Sequence, residues 1–272
     1  MAGTLYIVST PIGNLEDITL RALRLLGEVD VVLCEDTRQT RKLLDHFAIS
    51  KPALSYHDHN EQQRAPEMVA RLERGENLAL VSDAGTPLIS DPGYRLVRAA
   101  LDRGIAVVPV PGASAALGAL AASGLPTDAF RFCGFLPPKS TQRRKLFEEL
   151  EAEQATLVFY EAPHRIIETL TDIEACYGLR PVVVARELTK LHEEFLRGTA
   201  AQVREALASR NSVKGEITLL IGKGEEGVPD DTPLSEAVAK LEAADVARMD
   251  AIKQVAKARG LSKSDVYKQL VP

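Results

Sequence analysis

Tryptophan is missing from this chain, cysteine occurs three times in 272 residues, and Phe and Tyr together account for only 5% of it. The cysteines, Cys34, Cys133 and Cys176, stand too far apart for a disulfide framework or a thiolate zinc cage of short ligand spacing, which points to a reducing compartment. So few rings leave no evident platform for unstacked bases, and a nucleic-acid partner is expected to be read through backbone and shape. Long apolar runs are also lacking. The longest, Ile105 to Gly124, is interrupted by Pro109, Pro111, Gly112 and Gly118 and reads as strand, loop and helix rather than a membrane span. The start, MAGTLYIVST, has no basic stretch followed by a leader-length apolar core, so no signal peptide and no membrane partner are expected, and the cytoplasm is the expected location. A positive excess is absent too: the formal charge is −5, which weighs mildly against a polyanionic partner. The distribution softens that objection, because Lys139, Arg143, Arg144 and Lys145 fall in one short segment and residues 251–272 carry five Lys or Arg against one Asp. Such runs are as often solvated helix faces.

What is present is alternation. Short β-branched runs (LYIVS, DVVLCE, LALVS, IAVVPVP) alternate with helix-length amphipathic segments, Ile18 to Leu26, Thr40 to Phe47 and Tyr94 to Leu101. That order predicts crossover connections, a largely parallel sheet and an α/β fold. A second set follows: FRFCGF, a helix from Gln142 to Glu153, TLVFYE, a helix from His164 to Tyr177, PVVVARE and EITLLIGKG. The expected organisation is two α/β lobes, 1–117 and 118–225, facing each other across a cleft, with Pro109 to Pro126 as the hinge. A polar linker, 226–234, leads to a helical appendage, 235–272. There a helix ending at Gly260 and another capped by Ser262, carrying Val266, Tyr267 and Leu270, resemble a helix-turn-helix. An ordinary helical hairpin, packed on the body or on a second subunit, is the alternative.

Three loops fall at equivalent strand ends: Ser9 to Asn14, Val81 to Tyr94 (VSDAGTPLISDPGY) and Val110 to Ala115. Ligands of open α/β sheets collect beyond the carboxyl ends of strands, and Gly-, Pro- and Ser-rich loops let backbone approach them closely. None is a G-x-G-x-x-G or G-x-x-x-x-G-K-[ST] loop, which removes the main support for a dinucleotide or a triphosphate. Further candidates are Glu35, Asp36, Thr37 and Arg38 in CEDTR, and His57, Asn60 and Glu61 in SYHDHNE. Arg38 suits a phosphate or carboxylate fork, and His57 titrates in a useful range. Against this, Asp36 or Thr37 in that position is often only a helix N-cap. His57 and His59 alternate as strand neighbours on opposite faces, and zinc is not expected for want of a third ligand. Cys34 and Cys133 read as small core residues.

Taken in order, STPIGNLEDIT, EDTR, SYHDHNE, VSDAGTPLISDPG, PGASA, GFLP, YEAPHR and KGE span nearly the whole chain. This set resembles the ribosomal RNA small subunit methyltransferase I family, the 16S rRNA cytidine 2′-O-methyltransferases of the tetrapyrrole-methylase superfamily. The resemblance implies two α/β lobes holding S-adenosylmethionine between them, a homodimer, and as substrate a cytidine (cytidine 1402) of 16S rRNA within the 30S particle. It implies a cofactor site built from Pro11 of the first loop, Asp83, Gly85, Pro87, Ile89, Ser90, Asp91 and Pro92 of the second, and Gly112, Ala113, Ser114 and Ala115 of the third. The second lobe would add Tyr160, Glu161, Ala162, Gly215, Glu216 and Ile217. Catalytic candidates are Asp36, Arg38 and His57; Glu35, Thr37, Asn60, Glu61, Arg143 and Arg144 would meet the substrate.

Ribose methylation asks for a hydroxyl held in line with a sulfonium methyl and a group to take its proton; no metal is required. Relatives that methylate tetrapyrroles usually carry an acid after a G-x-G turn in the first loop, where this chain has Asn14. Asp17 could stand in for it, which keeps tetrapyrrole C-methylation as an alternative. A catalytically silent RNA-binding assembly factor is the other.

Overall fold

Strands covered on both faces must be apolar throughout, and β2 (Val31–Cys34) and β4 (Leu78–Val81) are buried at every position. They form the centre of the first sheet with β1 (Thr4–Val8), β3 (Ala53–Ser55) and β5 (Ala106–Val110), in the order β3-β2-β4-β1-β5, all parallel. The crossovers are α1 (Leu20–Glu28), α2 (Thr37–His46), α3 (Glu61–Glu73) and α4 (Tyr94–Asp102). Local chemistry sets their starts: Thr19 Oγ1 accepts from Ala22 N at 3.1 Å, and Asp36 Oδ1 from Arg38 N at 2.8 Å. The computed structural model describes residues 1–224, 232–243, 246–258 and 263–270.

The second sheet contains β6 (Phe130–Phe135), β7 (Thr156–Glu161), β8 (Pro181–Arg186), β9 (Glu194–Thr199) and β10 (Ile217–Ile221), ordered β6-β7-β10-β8-β9. Only β6 and β7 run parallel; the other three pairs are antiparallel. Around it lie α5 (Ala115–Ser123), α6 (Ser140–Glu149), α7 (Ile166–Tyr177) and α8 (Ala200–Ala208). Both lobes belong to one compact unit, Met1–Lys223.

Several expectations are corrected. The stretch from Pro109 to Pro126, expected as the hinge, is largely helical: Ser114 caps α5, whose Ala116, Ala119 and Leu120 pack on Val158, Val183, Ala185 and Leu220. The lobe boundary expected after residue 117 therefore falls inside a helix of the second lobe, and the connection is the short loop before Ala115. His57 to Asn60 form a turn, and the rings of His57 and His59 meet edge-on at 6.0 Å instead of facing opposite ways. Cys34 is fully buried as expected, whereas Cys133 is only half-buried. Arg143, read as a substrate contact, is wholly buried; its guanidinium pairs with Asp172 at 2.8 Å and donates to Pro138 O at 2.9 Å, so it anchors α6 to α7.

A second unit, Gly224–Pro272, has its own small core of Val238, Ala251, Ile252, Val255, Ala256 and Val266. Its helices are α9 (Leu234–Glu242), α10 (Arg248–Ala258) and α11 (Lys263–Leu270). The turn expected at Gly260, the cap at Ser262 and most of the expected linker lie outside the described residues. Among the described residues no helix is long and apolar enough to cross a membrane, and no group of three or more His, Cys, Asp or Glu could hold a metal ion.

Candidate active site

The three loops expected to converge are knitted together at the carboxyl edge of the first sheet. Thr10 and Gly85 exchange backbone hydrogen bonds, Thr10 N to Gly85 O at 2.8 Å and Gly85 N to Thr10 O at 3.1 Å. Ser9 Oγ and Thr86 Oγ1 lie 2.9 Å apart, and Thr86 Oγ1 also lies 3.3 Å from Ala113 O. Gly112 is pressed so closely on the first loop that a Cβ there would lie 2.9 Å from Ser9 Cβ. Gly85 sits at φ +86°, a conformation glycine adopts without cost. In the same loop Leu88 and Ser90 hold φ of +71° and +65°, a concentration of unfavourable backbone of the kind that accompanies functional sites.

A cavity of about 320 Å³ opens between these loops and the second lobe, within the size range of small-molecule sites. Of the expected cofactor residues, Gly85, Ile89, Ser90, Asp91, Ser114 and Ala115 line it on one side. Tyr160, Glu161, Ala162, Gly215, Glu216 and Ile217 line it on the other. Gly215 is required at φ +93°, and a Cβ would lie 2.4 Å from Glu187 Cδ. Pro11, Asp83, Pro87, Pro92, Gly112 and Ala113 do not reach the wall; they shape the loops behind it. The Glu161 carboxylate is spent on Arg165, on Thr169 Oγ1 at 2.6 Å and on Ala162 N at 2.7 Å, so it braces the start of α7. Glu216 pairs with Lys190 at 3.2 Å.

Reading the sequence alone missed Ile12, Ala84, Thr86, Phe135, Pro163, Leu188 and Thr218, which complete the wall. It also missed an aromatic cluster. Tyr160 meets Phe132 at 5.0 Å and Phe135 at 5.4 Å, both edge-on, and Phe135 remains 62% exposed at the cavity wall. An irregularity in the β6–β7 pairing between Phe132 and Phe135, with Gly134 at φ +68°, turns Phe135 there. The GFLP motif was the signal that marked it.

The other candidates stand at the ends of the neighbouring strands. Asp36 caps α2 and receives a fork from Arg38, at 3.1 Å to Nε and 2.7 Å to Nη2. The Arg38 side chain thereby holds the Asp36 carboxyl down at about 2. A carboxylate so stabilised is a poor proton acceptor at neutral pH, which favours a capping and positioning role for Asp36 over that of a base. Its backbone N donates to Asp83 Oδ1 at 3.1 Å, so Asp83 ties the second loop to the CEDTR loop. Asn60 Oδ1 accepts from His57 N at 2.9 Å, and its amide nitrogen lies 3.1 Å from His57 Nε2, while His57 Nδ1 is buried without a hydrogen-bond partner among the described residues. Glu61 accepts from Arg95 at 2.9 Å. Arg144 is half-exposed beside Asp172. Asn14 caps the short turn Leu15–Asp17, and Asp17 does not line the cavity.

Comparison with known proteins places this geometry. Residues 4–204 match the family model Tetrapyrrole (Corrin/Porphyrin) Methylases. A protein of Halalkalibacterium halodurans named Ribosomal RNA small subunit methyltransferase I is 50% identical, covering 97% of this chain and 93% of its own. One of the same name from Escherichia coli O157:H7 is 48% identical, with 98% and 94% covered. Among solved structures, uroporphyrin-III C-methyl transferase from Thermus thermophilus complexed with S-adenyl homocysteine is similar in fold, with a TM-score of 0.53, 20% identity and coverage of 82% and 98%. Near-end-to-end identity to the first two, on the fold of the third, makes this chain a member of the ribosomal RNA small subunit methyltransferase I family within the tetrapyrrole methylases.

Proposed function

We propose that this chain methylates ribosomal RNA, transferring the methyl group of S-adenosylmethionine to the 2′-hydroxyl of cytidine 1402 of 16S rRNA in the 30S particle. Catalytic action in the cytoplasm as a homodimer belongs to the same reading. The observation that carries it is the 50% identity, over 97% of the chain, to a protein named for methylating small-subunit ribosomal RNA. The cavity fits the cofactor. Gly85 and Gly215 let backbone approach where a Cβ would strain or clash, while Ile12, Ile89, Leu188 and Ile217 supply an apolar wall. Ser90, Ser114, Thr86 and Thr218 set hydroxyls among them. Such a mixture of apolar surface and a few placed polar groups suits an adenosine with an amino-acid tail.

When bound, S-adenosylmethionine supplies a methyl group on a sulfonium centre. The protein's part is to hold the ribose hydroxyl in line with that methyl and to exclude other acceptors, and positioning alone is worth several kcal/mol, on the order of 7–11 in favourable systems. Arg38, 87% exposed, and Arg144, half-exposed, present positive charge to phosphate beside their pairs with Asp36 and Asp172. His57, Asn60 and Glu61, locked by their mutual hydrogen bonds and by Arg95, give the acceptor side a fixed polar face. Phe135 supplies one flat apolar surface for a base drawn out of its stack. Nucleoside analysis of 16S rRNA from cells lacking this gene tests the reading: 2′-O-methylated cytidine disappears and returns on complementation, and its persistence would refute the assignment.

A further inference from the structure

The reaction releases a proton, and the cavity wall offers few groups to take it. Among the described residues three carboxylates line it, Asp91, Glu161 and Glu216, and no His, Lys or Cys does. Glu161 is committed to Arg165 and Thr169, and Glu216 is paired with Lys190. Tyr160 is a phenol that burial pushes further toward its protonated form. Asp91 alone of the three has no hydrogen bond and no ion pair among the described residues. It also occupies a particular place. In the strand order β3-β2-β4-β1-β5, the loop after β4 stands between the cavity and the acceptor-side loops after β2 and β3, and Asp91 belongs to that loop.

We propose that Asp91 is the base of the transfer, a reading that rests on the methyl transfer inferred above. The acceptor oxygen forms its new bond to the methyl carbon with a lone pair. The carbon–sulfur bond breaks with its electrons left on sulfur as a neutral thioether, and the hydroxyl proton passes to an Asp91 carboxylate oxygen. The charged groups facing Asp91 are Glu35 at the end of β2, Asp58 in the turn before α3 and Asp83 after β4, with the Tyr160 phenol on β7. Partial burial, and then repulsion from those three carboxylates, pushes the Asp91 carboxyl up to about 6. A base of that strength is ionised at neutral pH yet basic enough to accept the proton, the balance that general bases require. The loop that carries it also holds Leu88 and Ser90 at positive φ.

The test is single-turnover methyl transfer to 30S particles lacking the modification, between pH 5 and 8.5, with nucleoside identification of the product and calorimetry of S-adenosylhomocysteine binding. Wild type is expected to lose about tenfold in rate per pH unit below about 6 and to level off above it. Asp91→Asn is expected to fall on the order of 10²–10⁴-fold and to lose that acid limb. The rate is read at saturating S-adenosylmethionine, because Asp91 also lines the cofactor cavity, and Asp91→Glu should recover part of the rate. An Asp91→Asn rate within threefold of wild type at saturating S-adenosylmethionine, or an unchanged acid limb, would overturn the assignment. If wild type makes no 2′-O-methylcytidine, the substrate reading itself falls and the base assignment with it; if it does, the Asn variant judges Asp91 alone.

Discussion

Asp36 and Asp91 are carboxylates of the same chemistry on neighbouring loops, and their surroundings push them in opposite directions. Arg38 holds Asp36 at about 2, whereas burial and like charges lift Asp91 to about 6. Environment assigns one to structure and leaves the other for proton transfer. An aspartate raised in the folded state binds more protons there than in the unfolded chain, so its destabilising effect grows as pH rises from about 4 and is complete above about 6. Asp91→Asn is therefore expected to raise the thermal midpoint at pH 8 and to leave it unchanged near pH 4, by calorimetry on the ligand-free protein. A midpoint that does not move at pH 8 would show that Asp91 is not destabilised. Asp36→Asn should leave the pH dependence of turnover between 5 and 8 as it is in wild type, because Asp36 is ionised throughout that range. At this scale the motifs were legible but the protonation roles were not. CEDTR and ISDPG both display acids after strands, and nothing in the letters says that Arg38 folds back on Asp36 while Asp91 stays unpartnered.

Apolar runs marked eight of the ten strands, and β2, β4 and β10 among them are buried at every position, whereas the short β3 and the half-buried β9 were not read as strands. Failures came where one residue type obscured the pattern. Pro66 lies inside α3 and costs it an internal hydrogen bond, yet the buried face of Ala65, Met68, Val69 and Leu72 carries the helix through. Gly118 and the small residues around it suggested a hinge; Gly118 lies on the exposed side of α5, and it is Ala116, Ala119 and Leu120 that form the face packed against the second sheet. Arg143 was read as one of a run of exposed cations because a charge run usually is one; its burial against Asp172 depends on α7, nearly thirty residues on. Removing one partner of a buried pair leaves the other uncompensated, so Arg143→Ala should cost about 3–5 kcal/mol in chemical denaturation. Arg144→Ala should leave the denaturation midpoint nearly unmoved and raise KM for the 30S particle. The opposite pattern would restore Arg143 to the substrate surface.

Across the whole molecule, two sheets of different topology share the cavity, one wholly parallel and one mostly antiparallel. The helical unit beyond it has a core of its own. The basic balance of residues 251–272 suits a polyanion. Deleting residues 231–272 is expected to leave S-adenosylhomocysteine binding intact while raising KM for the 30S particle; an unchanged KM would separate the appendage from RNA binding. The alternation of strands and helices made both lobes visible in the sequence, but the order of strands within the second sheet was not, because antiparallel pairing of β8, β9 and β10 depends on contacts between distant segments. The most direct test of the account is transfer of labelled methyl from S-adenosylmethionine to purified 30S particles lacking the modification, followed by nuclease digestion and nucleoside mass spectrometry. Label is expected in a cytidine methylated on its ribose; label in a base, or none at all while S-adenosylmethionine still binds, would contradict 2′-O-methylation by this chain.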